Sequence, residues 1–441
     1  MLRATVKEYA SKLITNLEDD IQSAPETSIT IDENAELVIF GMRHGNRHPR
    51  KFLNQNSRIW GFEGVHELTQ FGKREGFGFG KELREFVRSL VGNNYMQHEV
   101  TLYTSSANSC QMTLQIVMAG FYPPDTFAEW NHALEWSPVP YTINDLMLQT
   151  HSTVNCSAIQ RVWEPIIHDN LPELMDLTTT NAQLFDYIAK HTGWNRSIES
   201  ASNLADNILE MNLYNASLPD WIERPTLEEF NKRSLKETIM TFLEKHSLAC
   251  VNYEPCRDIT GGIWLNHILT ILHNTAYGQQ TQKLIGYVSH LELVLSVMKL
   301  LRINQTYLDT TAGFLMEYRN KPNKSIRLLY HEALAIDRHI IRQAEYLEEL
   351  EELSDPNHWI PFESFYQLIK NKAIANLEEI CGKVTQCAAS GDNSKMSSQG
   401  TVSDSDNGGT LSDPYTSSLA PSDAFLCNIV MHLLIILFLI S

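Results

Sequence analysis

The sequence predicts an α/β fold, a central mixed sheet flanked by helices, with an inserted, mainly helical domain. Three observations support this. Short apolar runs that stop at glycine or polar turns alternate with stretches of helical periodicity on both sides of residues 151–255. Within those limits strand signal fades, and helical periodicity separated by polar loops takes over. The chain of 441 residues, 43% hydrophobic and 20% charged, is also long and apolar enough to bury a sizeable core.

The first strand is expected at residues 36–41, where Leu37, Val38, Ile39 and Phe40 precede Gly41. A turn follows, then helical periodicity over residues 61–91. Residues 99–104 (E-V-T-L-Y-T) read as a second strand, followed by a helix that Pro123-Pro124 must stop after Phe121. Beyond the helical insertion, a helix runs from Gly261-Gly262 through His273. Residues 283–289 (K-L-I-G-Y-V-S) then form a strand that feeds directly into a helix over residues 290–301. The expected organisation is an α/β domain built from residues 34–150 and 256–387, with residues 151–255 inserted as helices. In such sheets ligands sit beyond the carboxyl ends of the strands.

Acidic side chains outnumber basic ones by 53 to 35, a formal charge of −18. A nucleic-acid partner needs a basic face to displace counterions, so that class is excluded. A local cationic pocket for an anionic small molecule is not.

Residues 388–424 are rich in Ser, Gly and Asp with one aromatic, Tyr415, the composition of a flexible stalk. Residues 425–441 are almost wholly apolar, with nothing basic after them. With small residues and a polar spacer upstream they resemble a GPI-anchor signal, with a short membrane span as the alternative. At the other end, residues 1–20 place Leu2, Val6, Tyr9, Leu13 and Leu17 at helical intervals among charges, an amphipathic helix rather than a secretory leader, and residues 1–33 stay unassigned. Five N-x-S/T sequons, at Asn155, Asn195, Asn215, Asn304 and Asn323, nevertheless fit a secretory, membrane-anchored glycoprotein. The seven cysteines contain no C-x-x-C pair. Cys250 and Cys256 are spaced to close a small loop; Cys156 has Cys381 and Cys387 as alternative partners.

The chemistry concentrates after the first strand, at Arg43-His44-Gly45-Asn46-Arg47-His48-Pro49. Two guanidiniums match the tetrahedral oxygens of phosphate, backbone donors in the turn are expected to join them, and Gly45 allows close approach. An imidazole between two arginines stays neutral, and a neutral ring nitrogen is a nucleophile.

This stretch is the R-H-G-x-R-x-P signature of the histidine acid phosphatases, and residues 34–387 resemble that family. L-T-Q-F-G at residues 68–72, Phe121-Tyr122-Pro123-Pro124, and K-L-I-G-Y-V-S-H at residues 283–290 are similar to family segments. The resemblance implies a histidine phosphatase-like fold and hydrolysis of phosphate monoesters through a phosphohistidine at His44. Arg43 and Arg47 would hold the phosphoryl oxygens and His290 would donate a further hydrogen bond. No cofactor or metal is implied. A homodimer is left open.

Three departures stand out. The family's third phosphate-holding arginine would align with Thr104, whose hydroxyl offers one neutral hydrogen bond; the difference is worth about 1.5–3 kcal/mol, or roughly ten- to a hundredfold. The H-D proton donor aligns with Leu291, and Glu292, in an arrangement similar to the H-A-E of multiple inositol polyphosphate phosphatases, is the candidate acid. A family disulfide would align near Glu210 and Ala312, both non-cysteine, while Cys156 and Cys387 align with another bridge. The enzyme reading therefore competes with a catalytically impaired pseudophosphatase that binds a phosphate ligand or partner.

Other patterns carry less. His331-Glu332 lacks the second ligand of a zinc-protease helix, since Ala335 takes its place. Gly76, Gly78 and Gly80 are expected to permit close helix packing. The acidic run at residues 345–352 reads as a solvated helix face.

Overall fold

β1 (Ala35–Arg43) buries Leu37, Val38, Ile39, Phe40 and Met42 completely, so both faces of the strand are covered. A strand buried on both faces reads as a continuous apolar run rather than an alternation. In the computed structural model, which describes residues 27–53, 60–149, 156–279, 282–375 and 380–381, β1 continues two residues past the expected end at Gly41 and so delivers Arg43. The expectations for residues 1–26, the stalk, the C-terminal apolar segment, Asn155, Cys387 and Cys427 lie outside the described residues.

Helix α1 (Gln70–Val87) begins nine residues later than its periodicity suggested. Gly61, Gly64 and His66 adopt positive φ and make turns of residues 61–67, and Thr69 caps the helix by accepting the Gly72 amide at 3.1 Å. β2 (Val100–Thr104) and α2 (Asn108–Phe121) fall where expected, the latter ending before Pro123-Pro124. β3 (Thr142–Ile143) is a two-residue edge strand. α1 and α2 pack closely at Gly80, where a Cβ would lie 2.1 Å from the Val117 carbonyl oxygen.

Helices then dominate: α3 (Ser157–Ile167), α4 (Pro172–Thr180), α5 (Ala182–Thr192), α6 (Ile198–Leu213), α7 (Lys232–Met240), α8 (Lys245–Asn252) and α9 (Glu254–Ala276). They surround an apolar cluster that includes Trp163, Phe185, Ile188, Leu204, Ile208 and Phe242. Two disulfides brace them, Cys250–Cys256 as the spacing suggested and Cys156–Cys381. Pairing with Cys381 corrects the alignment of Cys156 with Cys387: Ile380 and Cys381 pack against the helical cluster, bringing that sulfur into bonding distance. α9 runs unbroken through residue 256.

β4 (Leu284–Ser289) and α10 (Leu291–Leu300) follow, then β5 (Gly313–Arg319), β6 (Ser325–Ala335), β7 (Arg338–Gln343), β8 (Ile360–Pro361) and α11 (Phe362–Ile369). The sheet order is β3-β2-β4-β1-β5-β6-β7, with β8 beside β6. β3, β2, β4 and β1 pair in parallel; β1–β5 and every pairing beyond are antiparallel, which makes the sheet mixed. His331-Glu332 sits in β6, not on a helix.

α1 and α2 cover one face over Val38, Phe40, Met42 and Val288. α9, α10 and α11 cover the other over Ile39, Tyr287 and Phe314.

Candidate active site

Three strand ends meet at one level. Arg43 pairs with Ser289 and Thr104 with Val288, so the carboxyl ends of β1, β4 and β2 are adjacent. His44 and His290 each leave the sheet one residue later, with ring centroids 5.5 Å apart and planes at 73°.

The turn after β1 is held from behind. His44 N–H donates to the Ser289 carbonyl at 2.9 Å, Gly45 N–H to Thr113 Oγ1 at 3.0 Å, and Asn46 N–H to Glu75 Oε2 at 3.0 Å. Backbone donors were expected to join the anion site; instead these three are already committed, and the site offers side chains. Gly45 does permit close approach, to α1: a Cβ there would sit 2.7 Å from the Gly72 carbonyl oxygen. Glu75 also accepts from Thr310 Oγ1, and burial pushes its carboxyl up to about 7.

His44 is almost inaccessible, and its Nδ1 lies 2.8 Å from the Gly45 carbonyl. A carbonyl can only accept, so Nδ1 carries the proton and Nε2 keeps its lone pair. Burial lowers the pKa of this imidazole well below its usual value, and the Arg47 and Arg43 charges lower it further. Burial thus outweighs the like charges that the sequence suggested as the cause.

Arg43 donates to the Leu308 carbonyl at 2.8 Å and pairs with Glu244. Arg47 lies 3.9 Å from the same Glu244 Oε1 and 3.7 Å from Asp206 Oδ2. Both carboxylates come from the helical segment. Neither was legible, because each sits about 160–200 residues from its partner in an ordinary acidic context.

His290 Nε2 lies 2.6 Å from Gln149 Oε1, 3.3 Å from Ser105 Oγ and 3.7 Å from Cys110 Sγ. Its pKa falls to about 3, first through burial and then through Arg47. Gln149 is presented by the segment whose Leu148 carbonyl accepts from Ser289 Oγ at 2.7 Å. It is thus Ser105, not its neighbour Thr104, that approaches His290; Thr104 is fully buried, and its hydroxyl has no hydrogen-bond partner among the described residues.

Leu291 belongs to the apolar core beneath α10. Glu292, one residue on, is buried, with Ser247 at the start of α8 as a hydrogen-bond partner and Glu244 and Arg43 nearby. Burial raises its pKa above the ordinary carboxyl value.

A second cluster lies behind Arg47. The fully buried His48 has Glu63 Oε2 2.9 Å from Nε2 and Glu210 Oε2 3.3 Å from Nδ1, and its ring stacks on Tyr214. Among the described residues no group of three or more His, Cys, Asp or Glu side chains is arranged to hold a metal ion, and no helix is long and apolar enough to cross a membrane.

Two buried histidines, each delivered by a parallel strand, thus stand with Arg43 and Arg47 at one end of the sheet. The family model "Histidine phosphatase superfamily (branch 2)" matches residues 11–331. The chain belongs to this superfamily branch. Among similar curated proteins, the lysosomal acid phosphatase of Xenopus laevis is 25% identical over 274 residues, covering 60% of this chain and 61% of that protein. The prostatic acid phosphatase of Bos taurus is 22% identical over 300 residues, covering 66% of this chain and 73% of that protein. The chain therefore spans about three fifths of the lysosomal relative's length. A solved histidine-phosphatase fold, the Klebsiella sp. ASR1 phytase, superposes with a TM-score of 0.53 at 14% identity over 77% of this chain and 96% of that one. That likeness supports the fold: a mixed sheet with helices on both faces.

Proposed function

We propose that this protein hydrolyses phosphate monoesters through a covalent phosphohistidine at His44. The observation that carries the reading is the fixed tautomer of a neutral, buried His44 ring between two guanidiniums at the end of β1. The chain's similarity to lysosomal and prostatic acid phosphatases supports it.

Nε2 of His44 attacks phosphorus, and a P–N bond forms as the ester P–O bond breaks. Arg43 and Arg47 hold the phosphoryl oxygens, and charge-assisted hydrogen bonds grow stronger as charge develops on them. Ser105 Oγ, 3.3 Å from His290 Nε2, is a neutral donor beside them, and His290 joins it once its Nε2 proton turns from Gln149 Oε1 to the phosphoryl group. The leaving oxygen takes the proton of the Glu292 carboxyl, whose raised pKa keeps it protonated in mild acid. A water then attacks phosphorus and returns a proton to Glu292; the P–N bond breaks, releasing inorganic phosphate and neutral His44.

Two disulfides fit an oxidising compartment, and the sequon residues Asn195, Asn215, Asn304 and Asn323 are all exposed. They support a glycosylated protein of the secretory pathway or lysosome. The C-terminal apolar segment is proposed as its membrane anchor, through a GPI signal, with residues 151–255 as a helical domain inserted into the α/β one.

The test is hydrolysis of an aryl phosphate across pH 4–7 by wild type and His44→Ala. Hydrolysis abolished by the substitution is expected. Indistinguishable rates would sink the enzyme reading, and phosphate binding without turnover would favour the pseudophosphatase.

A further inference from the structure

Glu244 occupies an unusual place. Its backbone lies in the left-handed region at φ 54°, where a residue with a Cβ is disfavoured, so the surrounding structure must hold it there. It is the N-cap residue of α8, yet its side chain makes no capping hydrogen bond to that helix. The carboxylate instead leaves its own helix and crosses to the turn after β1. There one oxygen pairs with Arg43 and stands 3.9 Å from Arg47, with the side chain only 13% exposed. Both cations through which the site would grip a phosphoryl group therefore share a single internal carboxylate oxygen.

We infer that Glu244 is an internal counter-anion that occupies the phosphate position between Arg43 and Arg47 and must be displaced before a phosphoryl group can bind. The inference rests on the phosphatase reading for its ligand, a phosphate monoester or inorganic phosphate, and adds a specificity-determining residue to it. Arg43 keeps its bond to the Leu308 carbonyl when Glu244 leaves, so one guanidinium edge stays fixed while the other exchanges carboxylate for phosphate. The exchange exacts a toll on every ligand. A singly charged carboxylate analogue must offset the same lost ion pair with less charge than a phosphate dianion, so the arrangement favours dianions.

The experiment is calorimetric titration of wild type, Glu244→Gln and Glu244→Asp with inorganic phosphate, beside KM and kcat for an aryl phosphate. Thermal melting of each variant reports on its folding. Glu244→Gln is close in shape but uncharged and is expected to bind phosphate about tenfold more tightly, with KM falling in parallel. Glu244→Asp keeps the charge and is expected to stay near wild type. Unchanged or weaker phosphate binding by a folded Glu244→Gln overturns the inference, as does a loss in kcat with phosphate affinity unmoved, the mark of a proton donor. The two readings fail separately. Tighter binding without hydrolysis in any variant leaves the counter-anion standing and removes the enzyme; hydrolysis that His44→Ala abolishes, with no gain from Glu244→Gln, does the reverse.

Discussion

Gly72 touches Asn46 so closely that a Cβ on the glycine would lie 2.2 Å from the Asn46 carbonyl oxygen and 2.7 Å from its amide nitrogen. The first turn of α1 is thereby pressed against the loop that carries Arg43, His44 and Arg47. Neither contacting group is the far end of a flexible side chain, so an added methyl must move backbone. Gly72→Ala is expected to destabilise the protein by about 1–3 kcal/mol and to reduce kcat/KM by roughly tenfold or more, since small displacements of reacting groups are costly. Thermal melting and steady-state kinetics check this; wild-type values in both would show that the contact does not position the loop.

His48 sets a pH dependence of stability. Although burial opposes its charge, the adjacent Glu210 and Glu63 carboxylates raise its pKa above the ordinary 6.5. A raised histidine pKa stabilises fully below the unfolded value and is lost as pH rises through the folded value. Burial raises the Glu210 pKa as well, which acts in the same direction because the folded state then holds the extra proton. Wild type should therefore lose stability relative to His48→Gln as pH rises above about 6.5 and through the raised His48 pKa. Denaturant titrations at several pH values measure the difference; parallel curves would exclude His48 as its source.

Glu292 is expected to reveal itself through the leaving group. Glu292→Gln should slow alkyl phosphates, which need protonation to depart, by about tenfold more than activated aryl phosphates. Wild-type activity on alkyl esters should fall as pH rises through the raised Glu292 pKa. Equal losses on both ester classes would remove Glu292 as the acid.

The Cys156–Cys381 bridge spans 225 residues of sequence. Closing so long a loop restricts the unfolded chain strongly, and replacing both cysteines by serine should cost about 4–5 kcal/mol. Removing Cys250–Cys256, separated by only six residues, should cost less. Chemical denaturation of the two double variants ranks them; a reversed order would place the stabilisation in the folded state rather than in chain entropy.

The sequence made the parallel half of the sheet legible because β1 and β4 are buried on both faces and carry unbroken apolar runs. The antiparallel half was not: β6 mixes buried Leu328 and Leu329 with half-buried Arg327 and Glu332, and no strong alternation marks it. Within the site, Arg43, His44 and Arg47 could be read because one short motif holds them, and His290 because it ends a recognisable strand. Gln149, Asp206 and Glu244 have no such local signature; folding alone brings them to the histidines and arginines. Burial is likewise a tertiary property, and it turned out to be the largest cause of the depressed His44 pKa.

β1 and β4 are neighbours in the sheet, but Ser289, the register partner of Arg43, is made about 246 residues later. At roughly 5–20 residues per second, a nascent chain spends some 10–50 s between completing His44 and completing the strand that seats it. Leu37 through Phe40 emerge early, uncovered and strongly β-forming, and wait for a partner from the far side of the helical segment. Biosynthesis of this phosphatase fold therefore has a window of exposure written into its connectivity, and expression without chaperone assistance should be limited by that delay more than by the stability of the finished sheet.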